Sequence, residues 1–170
     1  MRYLKMDPEK RLILEIGCGN KKVFSESIGL DVRPVEGVDV VADAHELPFD
    51  DEYFDHVYSS HVIEHFSHQD VKDVLEEWVR VLKKGGIFEI RCPDLRARAF
   101  IFAFMPSKGN IKNIYGAQDY PENFHQCGFS SNLLKELLSE VGIGKIKRIN
   151  DGFRGIPFLP SDLHLKGIKL

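Results

Sequence analysis

The sequence predicts an α/β domain built on a mostly parallel sheet. Short apolar runs ending at Gly or Asp recur before position 60, as strands buried on both faces do. Two longer stretches, Val71 to Leu82 and Ser131 to Val141, carry apolar residues at helical spacing, the mark of helices lying on a sheet. Strand-like and helix-like segments alternate, which favours layered α/β architecture over an all-α or all-β one.

Taken in order, Met1 to Lys10 reads as a loosely attached polar lead-in. Leu12 to Ile16 is a strand closed by Gly17. Ser27 to Val32 is a second strand, and Val38 to Ala42 a third that ends at Asp43. Phe54 to Ser59 is a fourth, with Asp55 and His56 interrupting its apolar character. Val71, Val74, Leu75, Trp78, Val79 and Leu82 then form one apolar helical stripe. Ser67-His68-Gln69-Asp70 supplies its N-cap signal, and Lys83-Lys84-Gly85-Gly86 its stop. Ile87 to Arg91 is the next strand, closed by Pro93. Phe129, Ser130 and Leu134 fit a staple and cap for the second helix, which Gly142 ends. Lys145 to Ile149 and Leu163 to Lys169 are the last strands. Only twelve positions separate Gly19 from Asp31, and twelve separate Asp31 from Asp43. Those gaps are too short for full crossover helices, so the first half must cross over by loops.

A chain of 170 residues fits one domain over positions 1–170. The net charge of −3 argues against nucleic acid as a partner. No run is long and apolar enough to span a membrane, and there is no basic-then-apolar leader, so a cytoplasmic location is expected. Cys18, Cys92 and Cys127 are too far apart for a CxxC pair and read as reduced thiols. Eight acids and no Lys or Arg occupy Glu36 to Asp55, while five basic residues against one acid occupy Arg91 to Lys112. This asymmetry suggests an acidic cofactor side and a basic side for an anionic acceptor.

Ligands of open α/β sheets bind beyond the carboxyl ends of the strands. Gly17-Cys18-Gly19 ends the first strand and allows a tight turn with close approach to a ligand. Asp31 ends the second, where a carboxylate accepts hydrogen bonds from both ribose hydroxyls. Asp43 ends the third, placed to accept from an exocyclic adenine amine beside the Ala44 backbone. Ser59-Ser60-His61 ends the fourth. A dinucleotide fold also wants a third glycine opening a helix on the pyrophosphate. Lys22 stands there, and no Gly-Lys-Ser/Thr loop is present. The expected ligand is therefore an adenosine without phosphates.

Leu-Glu-Ile-Gly-Cys-Gly (14–19), Gly-Leu-Asp-Val (29–32), Val-Ala-Asp-Ala-His-Glu-Leu-Pro-Phe (41–49), Phe-Asp-His-Val-Tyr-Ser-Ser-His-Val-Ile-Glu-His-Phe (54–66) and Val-Leu-Lys-Lys-Gly-Gly-Ile-Phe-Glu-Ile (81–90) together resemble the class I S-adenosylmethionine-dependent methyltransferases. The resemblance is closest to a small, shortened branch linked to surface-polysaccharide synthesis. That branch also carries Tyr-Gly-x-Gln and Asn-Phe-His stretches like Tyr115 to Gln118 and Asn123 to Phe129. It implies a Rossmann-like sheet with an antiparallel last strand and reduced helices in the first half. It implies S-adenosyl-L-methionine as cofactor and a small or saccharide-linked acceptor. Glu15, Gly17, Cys18 and Gly19 would shape the methionine end of the pocket. Asp31 would hold the ribose, Val32 would lie against the adenine, and Asp43 and Ala44 would face its edge. Ser60 and His61 would lie beside the sulfonium. The Asn20-Lys21-Lys22 stretch departs from the family pattern of a further glycine and a helix.

Other residues are open to two readings. His61, Glu64 and His65 lack the order of a zinc helix motif and read as pocket wall, so no metal centre is expected. His125, in a loop overhanging the acceptor side, is either a substrate contact and general base or a structural loop histidine. Asp94 either orients the acceptor or caps the next helix, with capping favoured. Phe100, Ile101, Phe102, Phe104 and Met105 read as core or homodimer contact ahead of a lid or membrane-surface patch. Two competing functions are a non-catalytic S-adenosylmethionine-binding partner module and a nicotinamide-dependent oxidoreductase. Lys22 in the third-glycine position argues against the second.

Overall fold

The computed structural model describes residues 11–149 and 161–170; the lead-in read at Met1 to Lys10 lies outside them. The elements are β1 (Ile13–Ile16), β2 (Ile28–Asp31), β3 (Val40–Val41), β4 (Phe54–Ser60), a 3₁₀ turn (Ile63–His65), α1 (Val71–Arg80), β5 (Leu82–Pro93), α2 (Leu95–Phe104), α3 (Lys108–Tyr115), α4 (Ser131–Glu140), β6 (Ile143–Arg148) and β7 (Asp162–Lys169). The strands form one sheet in the order β3-β2-β1-β4-β5-β7-β6. β1, β2, β3, β4 and β5 run parallel. β7 runs antiparallel to both its neighbours, β5 and β6. This is a Rossmann-like α/β fold with an inserted antiparallel strand at one side.

The order places the β1–β4 junction near the middle of the sheet. Chain connections leave in opposite directions on either side of β1, which opens a crevice above the strand ends there. Leu14, Ile16, Leu30, Val57, Phe88 and Ile90 are buried in these strands. α1 covers them with Val71, Val74, Leu75, Trp78 and Val79, each burial worth about 1.5–3 kcal/mol for the larger side chains. α4 seats Leu134 and Leu138 and lies against β6. Its N-cap is Ser130, whose hydroxyl accepts from the Leu133 amide.

Between β1 and β2 and between β2 and β3 there is no helix. The first of these loops is pinned from below by Glu15, a buried carboxylate. It accepts from the Val23 amide at 2.8 Å, the Phe24 amide at 3.2 Å and the Ser27 hydroxyl at 3.2 Å. Lys22, where the family pattern has glycine, donates to the Ser27 carbonyl and to Asp39 Oδ2, each at 2.8 Å.

Two readings change. The Lys83–Gly86 stretch is not the helix end. α1 stops at Arg80, and the chain pairs at once, Leu82 with Phe54 and Ile87 with His56. Residues 83–86 are therefore a bulge opposite Asp55, and the positive φ of Gly85 (75°) serves that bulge. Fully buried Val81 and Leu82 decide it, because their backbones join the sheet where the helix would have continued. The aromatic stretch 100–105 is not core either. It lies on α2, where only Ala97 is buried, and Phe100 and Phe104 are 51% and 72% exposed. α2 packs on α3 and leaves these rings outward. Asp94 caps α2, accepting from the Arg96 and Ala97 amides. No helix among the described residues is long and apolar enough to cross a membrane.

Candidate functional site

A cavity of about 360 Å³ opens over the carboxyl ends of β1 to β4, within the size range of small-molecule sites. Gly17 forms its floor with φ +69°. A Cβ there would lie 2.1 Å from Val62 Cγ2, so only glycine fits. The Gly17 and Cys18 amides both donate to the Leu30 carbonyl, which draws the loop against β2.

Asp31 lines the cavity and is itself buried. Its Oδ2 accepts from the Gly19 amide at 2.9 Å, and its Oδ1 from the Arg33 amide at 3.0 Å. These bonds aim the carboxylate into the cavity. Arg33 Nε also reaches Oδ1 at 3.2 Å, and the guanidinium lies 4.7 Å over the Tyr120 ring. Val32, Asp43 and Ala44 line the same wall. Asp43 Oδ1 takes both the amide and the ring Nδ1–H of His45, and these bonds hold its carboxyl below the usual range. Oδ2 is the oxygen left to meet a ligand. The Ala44 carbonyl accepts the indole N–H of Trp78 at 2.9 Å. α1 thus fixes this loop, and the Ala44 amide is the group available at the cavity edge. Arg80 and Glu77 of the same helix hold residues 47–51 through the Leu47 and Phe49 backbones.

His61 lines the far wall with φ +57°, unusual for a non-glycine residue. Its imidazole lies 3.7 Å from Asp162 and 3.2 Å from Glu64, and these carboxylates raise its pKa to about 9. His61 is therefore cationic at neutral pH.

Gly17, Asp31, Val32, Asp43, Ala44 and His61 thus share one cavity. Glu15, Cys18, Gly19 and Ser60 are not among its lining residues. Glu15 acts through the loop it pins, and Gly19 through its bond to Asp31. Cys18 turns toward β2, where a side chain at Gly29 would collide with its Sγ. Burial and the nearby Asp31 push its thiol up to about 11, so it stays protonated. Ser60 pairs with Arg91 at the end of β4.

His125 does not line this cavity either. It borders a void of about 10 Å³ with Glu64, Cys127 and residues of α2 and α3. Its Nδ1–H donates to the Ile114 carbonyl at 3.0 Å, and burial lowers its pKa. The loop carrying it is locked to the 3₁₀ turn. The Gln126 and Cys127 amides donate to the Glu64 carbonyl, Gln126 Nε2 to the His65 carbonyl, and His65 Nδ1 to the Phe124 carbonyl. Gly116 makes this possible. At φ +84° it lets the Asn123 carbonyl pass where a Cβ would be 2.5 Å away. Sequence reasoning missed Arg33, Phe66, Tyr120 and Gln126 as cavity lining. The Asn123–Phe129 stretch was the available signal for Gln126.

The fold has close counterparts among solved structures. A SAM-dependent methyltransferase of Thermotoga maritima superposes with a TM-score of 0.63 over 95% of this chain and 83% of its own, at 21% identity. One from Archaeoglobus fulgidus gives 0.62 over 94% and 86%, at 20% identity. Residues 14–90, which carry the cavity floor and both aspartates, match the family model described as Methyltransferase domain. Over those residues the chain is similar to the class I S-adenosylmethionine-dependent methyltransferases. Members of this class use S-adenosyl-L-methionine as methyl donor. A tRNA (carboxymethyluridine(34)-5-O)-methyltransferase of Arabidopsis thaliana is 37% identical over 98 residues, 49% of this chain and 24% of that protein. A ubiquinone/menaquinone biosynthesis C-methyltransferase of Pseudomonas putida is 33% identical over 116 residues, 63% of this chain and 44% of that protein. The chain thus spans less than half the length of each of these two relatives. The cavity fits the donor. Glycine at position 17 leaves the close approach that a methionine tail needs, and two carboxylates stand at consecutive strand ends.

Proposed function

We propose that this chain, as one methyltransferase domain, transfers a methyl group from S-adenosyl-L-methionine to a small or saccharide-linked acceptor. The observation that carries the reading is the shared cavity of Gly17, Asp31, Asp43 and Ala44 over the strand ends. Asp31 would hold the ribose hydroxyls. Val32 would lie on the adenine, with Asp43 Oδ2 and the Ala44 amide at its edge. Glu15, Cys18 and Gly19 would support the methionine end through the backbone of their loop. Ser60 and His61 would close the opposite side.

When bound, the donor supplies an already activated methyl group on a sulfonium. The chain's own task is to orient the acceptor in line and keep water away. The roof over the cavity comes from residues 120–122 and Arg33. The acceptor side is the region of His125, which holds a neutral imidazole with Nε2 as the acceptor atom. It is our candidate for the acceptor contact and, where the acceptor must lose a proton, for the base. The quinone-biosynthesis C-methyltransferases among the relatives favour a small acceptor. Arg96, Lys108 and Lys112 favour an anionic one. A cytoplasmic location and a homodimer through the exposed rings of α2 accompany this reading.

Calorimetry of S-adenosylmethionine binding tests it. Micromolar binding is expected for the native chain. Asp31→Ala should weaken it on the order of 10–100-fold, the loss of charge-assisted hydrogen bonds to two hydroxyls. Equal affinities would overturn the ribose assignment, and no binding to the native chain would overturn the function.

A further inference from the structure

Three side chains outside the cofactor contacts converge where the 3₁₀ turn meets the loop before α4. The ligating atoms of Glu64, His65 and His125 all lie within 4.8 Å of one another. Glu64 is only 1% exposed, and its Oε2 has no hydrogen-bond partner among the described residues. A carboxylate oxygen left bare in the interior is costly unless something cationic meets it. Its other oxygen is 3.2 Å from His61 Nδ1, which holds the carboxylate in place.

Both histidines are oriented in the same way. His65 Nδ1 faces the Phe124 carbonyl at 3.1 Å, and His125 Nδ1 faces the Ile114 carbonyl at 3.0 Å. A carbonyl only accepts, so each Nδ1 carries the proton, and each Nε2 presents a lone pair. A backbone carbonyl on one ring nitrogen, fixing the tautomer that bares the other, is the usual outer-shell support of a metal-bound histidine. The rings meet edge-to-face with centroids 5.1 Å apart.

We propose that Glu64, His65 and His125 form a site for one divalent transition-metal ion, set in the partition between the cofactor cavity and the acceptor-side void. Two imidazoles and one carboxylate select zinc, iron, cobalt or manganese over magnesium or calcium, which prefer oxygen alone. Three protein ligands leave coordination positions open, the arrangement of a reactive site and not of a sealed structural one. His65 lines the cofactor cavity, while Glu64 and His125 line the void beyond it. The set therefore borders both spaces, and the cofactor cavity is the one large enough to admit a further ligand. The ion's role rests on the methyltransferase reading: it would hold an oxygen of the acceptor beside the donor's methyl group. His125 would then act as a ligand and not as a free base. Ligand atoms about 2.0–2.2 Å from an ion stand closer together than 4.8 Å, so the set contracts on binding. Sequence order alone hid the site, because His125 lies sixty positions after His65.

The test uses the full chain and Co²⁺ or Zn²⁺ as probe. One equivalent of Co²⁺ should bind and give visible d–d absorption that Zn²⁺ abolishes and excess Mg²⁺ does not. His65→Ala and His125→Ala should each weaken binding at least tenfold, with folding checked by circular dichroism. A second measurement needs no variant. On adding Zn²⁺, nitrogen-15 spectra of the seven histidines should move the Nε2 signals of His65 and His125 most, with a smaller change at His61, which contacts Glu64. Absence of stoichiometric binding, unchanged affinity in both variants, or shifts that leave both His65 and His125 unmoved would each overturn the site. S-adenosylmethionine binding is measured in parallel. Cofactor binding without metal binding defeats this proposal alone, and metal binding without cofactor binding defeats the methyltransferase reading alone.

Discussion

The crossover from β1 to β2 and the one from β4 to β5 sit on either side of the same cavity and are held by different forces. The first has no helix. Its loop hangs on Glu15 and Lys22, two charged side chains that spend their hydrogen bonds on the backbone and side chains of residues 23–39. The second is α1, seated by five buried apolar side chains. A short polar loop can press closer to a ligand than a helix can, since it adds no side-chain layer. It also concentrates its support in two residues. A helix spreads the same support over many contacts, each replaceable in part.

Removing the largest apolar contact should have the greatest effect on stability. Trp78→Ala is expected to cost about 3–5 kcal/mol in urea unfolding, because the indole is fully buried and also holds the Ala44 carbonyl. The cofactor cavity should loosen with it. Next comes Glu15→Ala, at about 1–3 kcal/mol for the donors left without their acceptor. Its effect on cofactor affinity should exceed its effect on stability, because the loop moves while the core stays. If Glu15→Ala costs more in unfolding than Trp78→Ala, the ranking of the two crossovers is reversed.

The smallest expected effect is on pH dependence. Burial opposes ionisation of Asp39, but bonds from Lys22 and the Gly29 amide outweigh it and lower its pKa. A carboxyl whose folded pKa is depressed adds stability above its unfolded value of 3.8 and loses it as pH falls through the folded one. The native chain should therefore shed a small increment of stability below about pH 4 that Asp39→Asn lacks. Parallel acid limbs for the two proteins would show that the ion pair contributes nothing to the loop. Asp39 is half exposed, so the increment is modest.

The sheet and the cavity over its strand ends were readable because each strand end carries its own signal. Gly17, Asp31 and Asp43 are local marks, and the stripe of α1 is a local period. Glu15 and Lys22 were legible only as departures or matches, because their partners lie 5 to 17 positions away. The acceptor side resisted for a related reason. Whether Phe100 and Phe104 are core depends on whether a sheet face remains for α2, which no local pattern states. β5 began five residues earlier than its apolar run, since Lys83 to Gly86 imitates a helix stop. His125 meets Glu64 and His65 only through a loop folded back by Gly116.

The position of β7 also has a consequence for how the chain reaches this state. Among the described residues, β6 pairs with the sheet only through β7, which lies between it and β5. A ribosome delivers β6 before β7 exists, so the strand must wait for this partner. Until β7 arrives, the outer edge of β5 is an open template for any passing extended segment. Sheet closure is thus a late, long-range event, of the kind that slows folding and raises the risk of association during synthesis.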